Sequence, residues 1–228
     1  MTATAPLVEI FWARPTEMAA SVGLELLNSA ERDRLQRLQV QADRIAYAVA
    51  HGLLRKILAQ RLAAPFRGDF LRGAMGKPGL PPPGGIEFNL THSRGLVAVA
   101  VCRDVPVGVD VEDLSRPVDS RELSWQVLSD AERVELGLAG WQSSDFLRHW
   151  VMKEALSKAA GQGLQSDFRT LTLSGNPLRI VALPQGFGET ASWSTDSVEV
   201  DTHLITVAAR HSAPVWCWHA VSESLDLV

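Results

Sequence analysis

The segment from Val105 to Glu112 constrains the fold most tightly. Val105, Val107, Val109 and Val111 alternate there with Pro106, Gly108, Asp110 and Glu112. A period of two puts every valine on one face of a β-strand and both carboxylates on the other. The valine face needs a core, and a chain of 228 residues that is 46% hydrophobic and 21% charged has the apolar mass to build one. Twenty-two Lys and Arg against 26 Asp and Glu leave a formal charge of −4, which gives no global attraction to nucleic acid or to an anionic membrane. Cys102 and Cys217 each lie in an apolar run and read as buried thiols rather than a disulfide framework or a metal site. Residues 1–10 lack the basic and apolar regions of a signal peptide, and the apolar stretch 96–102 is too short to span a bilayer. A cytoplasmic protein is expected.

Around this strand the order of elements repeats. Asn28, Ser29 and Glu31 open a short amphipathic helix over about 29–38, and apolar residues from Ile45 to Leu58 recur at helical spacing in a longer one over about 43–62. Five glycines and prolines from Gly68 to Gly79, then Pro81-Pro82-Pro83-Gly84-Gly85, forbid regular helix. Strands are expected at 86–90, 96–101 and 107–112, paired antiparallel through the short turns 91–95 and 103–104. Beyond Pro117 a capping box, Ser129 with Glu132, starts another short helix, and a longer one over about 144–160 stops at Gly161. Residues from Phe168 onward read as β-rich pieces near 171–173, 179–182, 203–209 and 215–219. Both short helices contain Ala-Glu-Arg, at 30–32 and 131–133. This order implies an α+β pseudo-dimer of two similar halves, 1–114 and 115–228, with a site in the cleft between them.

Three groups of residues carry chemistry. Asp110 and Glu112, at i and i+2 on one strand face, are close enough to share a hard cation such as Mg²⁺, although Asp-x-Glu alone equally describes an edge strand facing water. Trp150, Glu154 and Lys158 fall on one helical stripe: the tryptophan anchors it, Glu154 is a third carboxylate, and Lys158 is placed to neutralise phosphate or protonate a leaving oxygen. An ordinary boundary ion pair fits the same spacing. Lys77 in Gly76-Lys77-Pro78, and the hydroxyl and imidazole of Thr91-His92-Ser93, offer charge and donors to a phosphate, while each also fits an ordinary turn. No Walker loop, dinucleotide fingerprint, CxxC pair or nucleophile elbow is present.

In this order and spacing, Gly76-Lys77-Pro78, Phe88-Asn89-Leu90-Thr91-His92-Ser93, Gly108-Val109-Asp110-Val111-Glu112 and Trp150 through Leu164 resemble the 4′-phosphopantetheinyl transferase superfamily, and within it the double-length, surfactin-synthetase-activating type. The resemblance covers about residues 25–175. It implies a pseudo-dimeric α+β fold with coenzyme A between the halves, and Mg²⁺-dependent transfer of the 4′-phosphopantetheine arm to a serine of an apo acyl or peptidyl carrier protein, releasing adenosine 3′,5′-bisphosphate. By motif position it implies Asp110, Glu112 and Glu154 as Mg²⁺ ligands, Glu154 as the base for the carrier serine, and Lys158 as the residue that steadies the leaving charge. Lys77, Pro78, Thr91 and His92 would contact the nucleotide end, with Asp110 beside the pyrophosphate. The family's serine before the histidine is Thr91 here. Its basic residue on the first long helix falls on Arg44, with His51 and Arg55 as alternatives. Internal duplication implies a monomer. A Mg²⁺-dependent phosphohydrolase would use the same carboxylates but leaves Lys77 and Thr91-His92 without a purpose, and a non-catalytic carrier- or coenzyme-A-binding module leaves the carboxylates without one.

Overall fold

The computed structural model describes residues 4–18, 24–140, 142–162 and 167–222. In chain order the elements are β1 (Leu7–Ala13), α1 (Pro15–Met18), α2 (Ser29–Arg37), α3 (Gln41–Leu62), β2 (Leu71–Arg72), β3 (Pro78–Gly79), β4 (Ile86–His92), β5 (Val97–Arg103), β6 (Val107–Asp113), α4 (Ser120–Val127), α5 (Asp130–Ala139), α6 (Ser143–Ala160), β7 (Thr172–Ser174), β8 (Arg179–Ala182), β9 (Ser194–Val200), β10 (His203–Ala209) and β11 (Val215–Ala220). The expected α+β class is observed. Both capping boxes form, Asn28 with Glu31 and Ser129 with Glu132. Gly161 ends α6 at φ 68°, a left-handed position that favours glycine.

Four layers stack in the order helix, sheet, sheet, helix. One sheet runs β11-β1-β5-β4 and the other β6-β10-β9. Along β5 the side chains of Val97, Val99 and Val101 join those of α3, including Val49, Leu53 and Ile57, in one core. The opposite face of β5, Ala98, Ala100 and Cys102, meets Val107, Val109 and Val111 of β6 and Ile205 and Val207 of β10 in a second. The valine face is thus buried between sheets, and the small residues of β5 let the sheets approach. The far face of the second sheet is covered by α6. At Gly108 an added Cβ would lie 2.2 Å from the Ala155 carbonyl oxygen and 2.3 Å from the Ala159 nitrogen, so helix and strand touch backbone to backbone.

One expectation is corrected. β4 and β5 pair antiparallel as their short turn requires, but β5 and β6 do not pair: β6 hydrogen-bonds to β10 instead. Asp104 at φ 57° and Pro106, which has no N–H, carry the chain out of one sheet into the next rather than back along β5. Sheet membership also crosses residues 114–115 in both directions, since β6 joins β9 and β10 while β11 pairs in parallel with β1.

Candidate functional site

Because Gly108, Asp110 and Glu112 share a strand face, the packing of α6 on Gly108 also brings the helix stripe of Glu154 and Lys158 to the carboxylates. Lys158 Nζ donates to Asp110 Oδ1 at 2.6 Å, and Thr91 Oγ1 donates to the same oxygen at 3.0 Å. Lys158 Nζ also reaches the Val109 carbonyl at 3.3 Å. One hydrogen-bonded cluster therefore joins Thr91 from β4, Asp110 from β6 and Lys158 from α6. Trp150, at the other end of the stripe, packs on Phe146 and Phe168.

Electrostatics around the carboxylates is unrelieved. Burial pushes the Glu154 carboxyl up to about 7, the charges of Asp110 and Glu112 add to this, and only Lys158 opposes. Burial likewise raises Glu112, against the pull of Arg116 at 3.1 Å. Asp110 Oδ2 and Glu154 Oε1 are buried with no hydrogen-bond partner. Leaving two such oxygens unpaired is costly unless something binds them. Among the described residues no three acidic, histidine or cysteine side chains are drawn together at metal-ligating spacing. The carboxylates form an open, all-oxygen set. That set suits a hard cation held by one or two carboxylates with the remaining positions filled by water and substrate phosphate, so the residues present fit Mg²⁺.

A cavity of about 690 Å³ lies beside α2 and α3. It is lined in part by Arg34, Arg37, Arg72, Tyr47, His51 and Pro78. Its floor is organised by Glu31, the capping-box glutamate of α2. Glu31 Oε2 accepts from the Asn28 N–H at 2.9 Å and from Arg55 Nε at 2.7 Å, and Oε1 lies 3.0 Å from His51 Nδ1. Burial alone would raise the Glu31 carboxyl, but its bonds to His51, Arg55 and Asn28 outweigh it and bring it down to about 2. His51 stacks on Tyr47 at 4.1 Å between ring centroids, and Tyr47 meets the edge of His92 at 6.5 Å.

Several sequence-predicted residues fall differently from expectation. Arg44 is exposed on a separate cavity with Leu35 and Ile45. It stands two turns, about 10 Å, along α3 from His51. Of the alternatives, Arg55 is buried and spent on Glu31 and on the carbonyls of Phe66 and Gly68, whereas His51 lines the cavity. Lys77 Nζ turns away from the cavity toward the Val107 and Ala159 carbonyls, at 3.1 and 3.3 Å, while its neighbour Pro78 lines it. Gly163 and Leu164, the end of the fourth motif, lie outside the described residues. Arg34, Arg37 and Arg72 were not singled out in the sequence. Arg34 and Arg37, on a polar helix face, look solvated; only the capping box at Glu31, one turn before Arg34, marks that face as built, and Arg72 lies in a glycine-rich stretch with no pattern of its own.

Comparison with known proteins places the chain in a family. The family model of the 4′-phosphopantetheinyl transferase superfamily matches residues 106–208, the stretch that carries Asp110, Glu112, Glu154 and Lys158. The 4′-phosphopantetheinyl transferase HetI of Nostoc is 32% identical over 162 residues, covering 67% of this chain and 68% of HetI. The chain therefore belongs to the 4′-phosphopantetheinyl transferase superfamily, and it is a transferase of that kind. It is also similar to the mouse L-aminoadipate-semialdehyde dehydrogenase-phosphopantetheinyl transferase, 24% identical over 223 residues, which is 86% of this chain and 71% of the relative. Among solved structures, the holo-[acyl-carrier-protein] synthase of Thermotoga maritima aligns at a TM-score of 0.39 and 21% identity over 48% of this chain and 65% of its own.

Proposed function

We propose that this protein transfers the 4′-phosphopantetheine arm of coenzyme A to a serine hydroxyl of an apo acyl or peptidyl carrier protein, in a Mg²⁺-dependent reaction. The observation that carries this reading is the cluster of Asp110 and Lys158 with Glu154 beside them, both carboxylates keeping buried, unpartnered oxygens. The arginine-lined cavity takes the nucleotide end, where Arg34, Arg37 and Arg72 supply the fixed positive charge that phosphate oxygens require. Pro78 and His51 complete its wall.

Asp110, Glu112 and Glu154 would hold Mg²⁺, which when bound neutralises charge on the pyrophosphate oxygens. Glu154, on the helix stripe that also carries Lys158, is the candidate to take the proton from the carrier serine. As the serine oxygen bonds to the phosphorus attached to the pantetheine arm, the P–O bond to the adenosine bisphosphate breaks. Lys158 lies where its ammonium steadies that leaving charge. Thr91 holds Asp110 and orients it. Supplying the cleft from both halves of one chain fits a pseudo-dimer that acts as a cytoplasmic monomer. Asp110→Ala and Glu154→Ala are expected to fold yet lose transfer to a purified apo carrier, as is the wild-type protein in EDTA. Full activity in either variant, or in chelator, would overturn the metal assignment.

A further inference from the structure

Among the described residues β6 has a hydrogen-bonded strand on one side only: it pairs with β10, while β4 lies close to it without forming a strand ladder. Buried N–H and C=O groups along such an edge must find other partners. Side chains provide them. The Asn89 carboxamide oxygen accepts from the Val109 N–H at 3.0 Å, Lys158 Nζ donates to the Val109 carbonyl at 3.3 Å, and Lys77 Nζ donates to the Val107 carbonyl at 3.1 Å. Asn89 sits on β4 and is buried, and Lys77 comes from the loop before β3, so two of the three donors and acceptors belong to the N-terminal half. The Lys77 ammonium also donates to the Ala159 carbonyl at 3.3 Å, in the last turn of α6 beside Lys158. Carbonyls there lack intrahelical partners, and the helix dipole favours a cation. One ammonium thus ties the carboxylate strand to the end of the helix that carries Glu154 and Lys158.

We propose that Lys77 and Asn89 are positioning residues: they hold the free edge of β6, and through it Asp110 and the last turn of α6, in register with Thr91 and His92 of the N-terminal half. For Lys77 this differs from the phosphate contact that the family resemblance implies. Its Nζ is engaged by two carbonyls and by Glu87 at 3.4 Å, and it does not line the arginine cavity. The kinetic consequence rests on the transferase reading; the structural one does not.

The test compares Lys77→Met and Asn89→Leu with wild type and with Arg34→Ala. Calorimetry measures binding of adenosine 3′,5′-bisphosphate, which needs no turnover, and assays with saturating coenzyme A measure kcat. Misplacing reacting groups by an ångström costs up to about 100-fold in rate, so both variants are expected to lose roughly tenfold or more in kcat while binding the nucleotide within about twofold of wild type. Arg34→Ala is expected to show the reverse. Faster hydrogen exchange at the Val109 amide in Asn89→Leu would report the opened edge directly. About tenfold weaker nucleotide binding in Lys77→Met would make Lys77 a phosphate ligand and overturn the proposal, as would unchanged kcat and exchange in both variants. Should Lys77→Met not fold, Lys77→Gln, which keeps a donor but no charge, is measured under the same criteria. A wild-type protein that modifies no carrier overturns the transferase reading alone, and the Val109 exchange then decides the edge.

Discussion

Glu31 shows how one side chain can serve fold and site together. It closes the capping box of α2, holds the buried Arg55 guanidinium and faces His51 at the cavity wall. Its carboxyl is brought from 4.5 to about 2 and is almost fully buried, so the charged form contributes stability that is complete above about pH 4.5 and lost as pH falls toward 2. Glu31→Gln is expected to cost about 3 kcal/mol at pH 7, with the gap to wild type narrowing between pH 4.5 and 2.5 in urea denaturation. A gap independent of pH would show that shape rather than charge is at stake. The residues at Asp110, Glu154 and Lys158 were legible in the sequence because period two on a strand and period four on a helix fix which side chains share a face. The roles of Lys77 and Asn89 were not, since donation to the edge of a distant strand leaves no local pattern.

Between elements, the decisive contact is α6 against β6. Glycine at 108 removes the Cβ that would meet the Ala155 carbonyl, and this approach lets Lys158 reach Asp110. Gly108→Ala is expected to destabilise the protein by about 3 kcal/mol or more and to lower transfer in the fraction that stays folded. A melting temperature and an activity both equal to wild type would refute the close packing. α3, α5, α6 and the β4–β5 hairpin could be placed from caps, spacing and turns. β1 and β9 could not: Leu7–Ala13 is a short, mostly apolar run that fits strand or helix alike, and Ser194–Val200 is rich in polar residues that break apolar alternation. The antiparallel pairing expected of β5 and β6 failed because a short link serves equally as a step between sheets when, as at 104–106, a left-handed aspartate and a proline occupy it.

At the scale of the molecule, the two sheets pack face to face, and the site lies where side chains of both halves meet the open edge of β6. Composition and charge set only outer bounds, and the order of motifs carried the functional reading further than any one motif did. The most direct measurement is intact-mass spectrometry of purified apo acyl and peptidyl carrier proteins incubated with this protein, coenzyme A and Mg²⁺, beside carriers whose acceptor serine is alanine. The expected result is a gain of one phosphopantetheine on the serine-bearing carrier only, matched by release of adenosine 3′,5′-bisphosphate and abolished by EDTA. Nucleotide release without any gain in carrier mass would contradict the transferase and point to a phosphohydrolase using the same carboxylates.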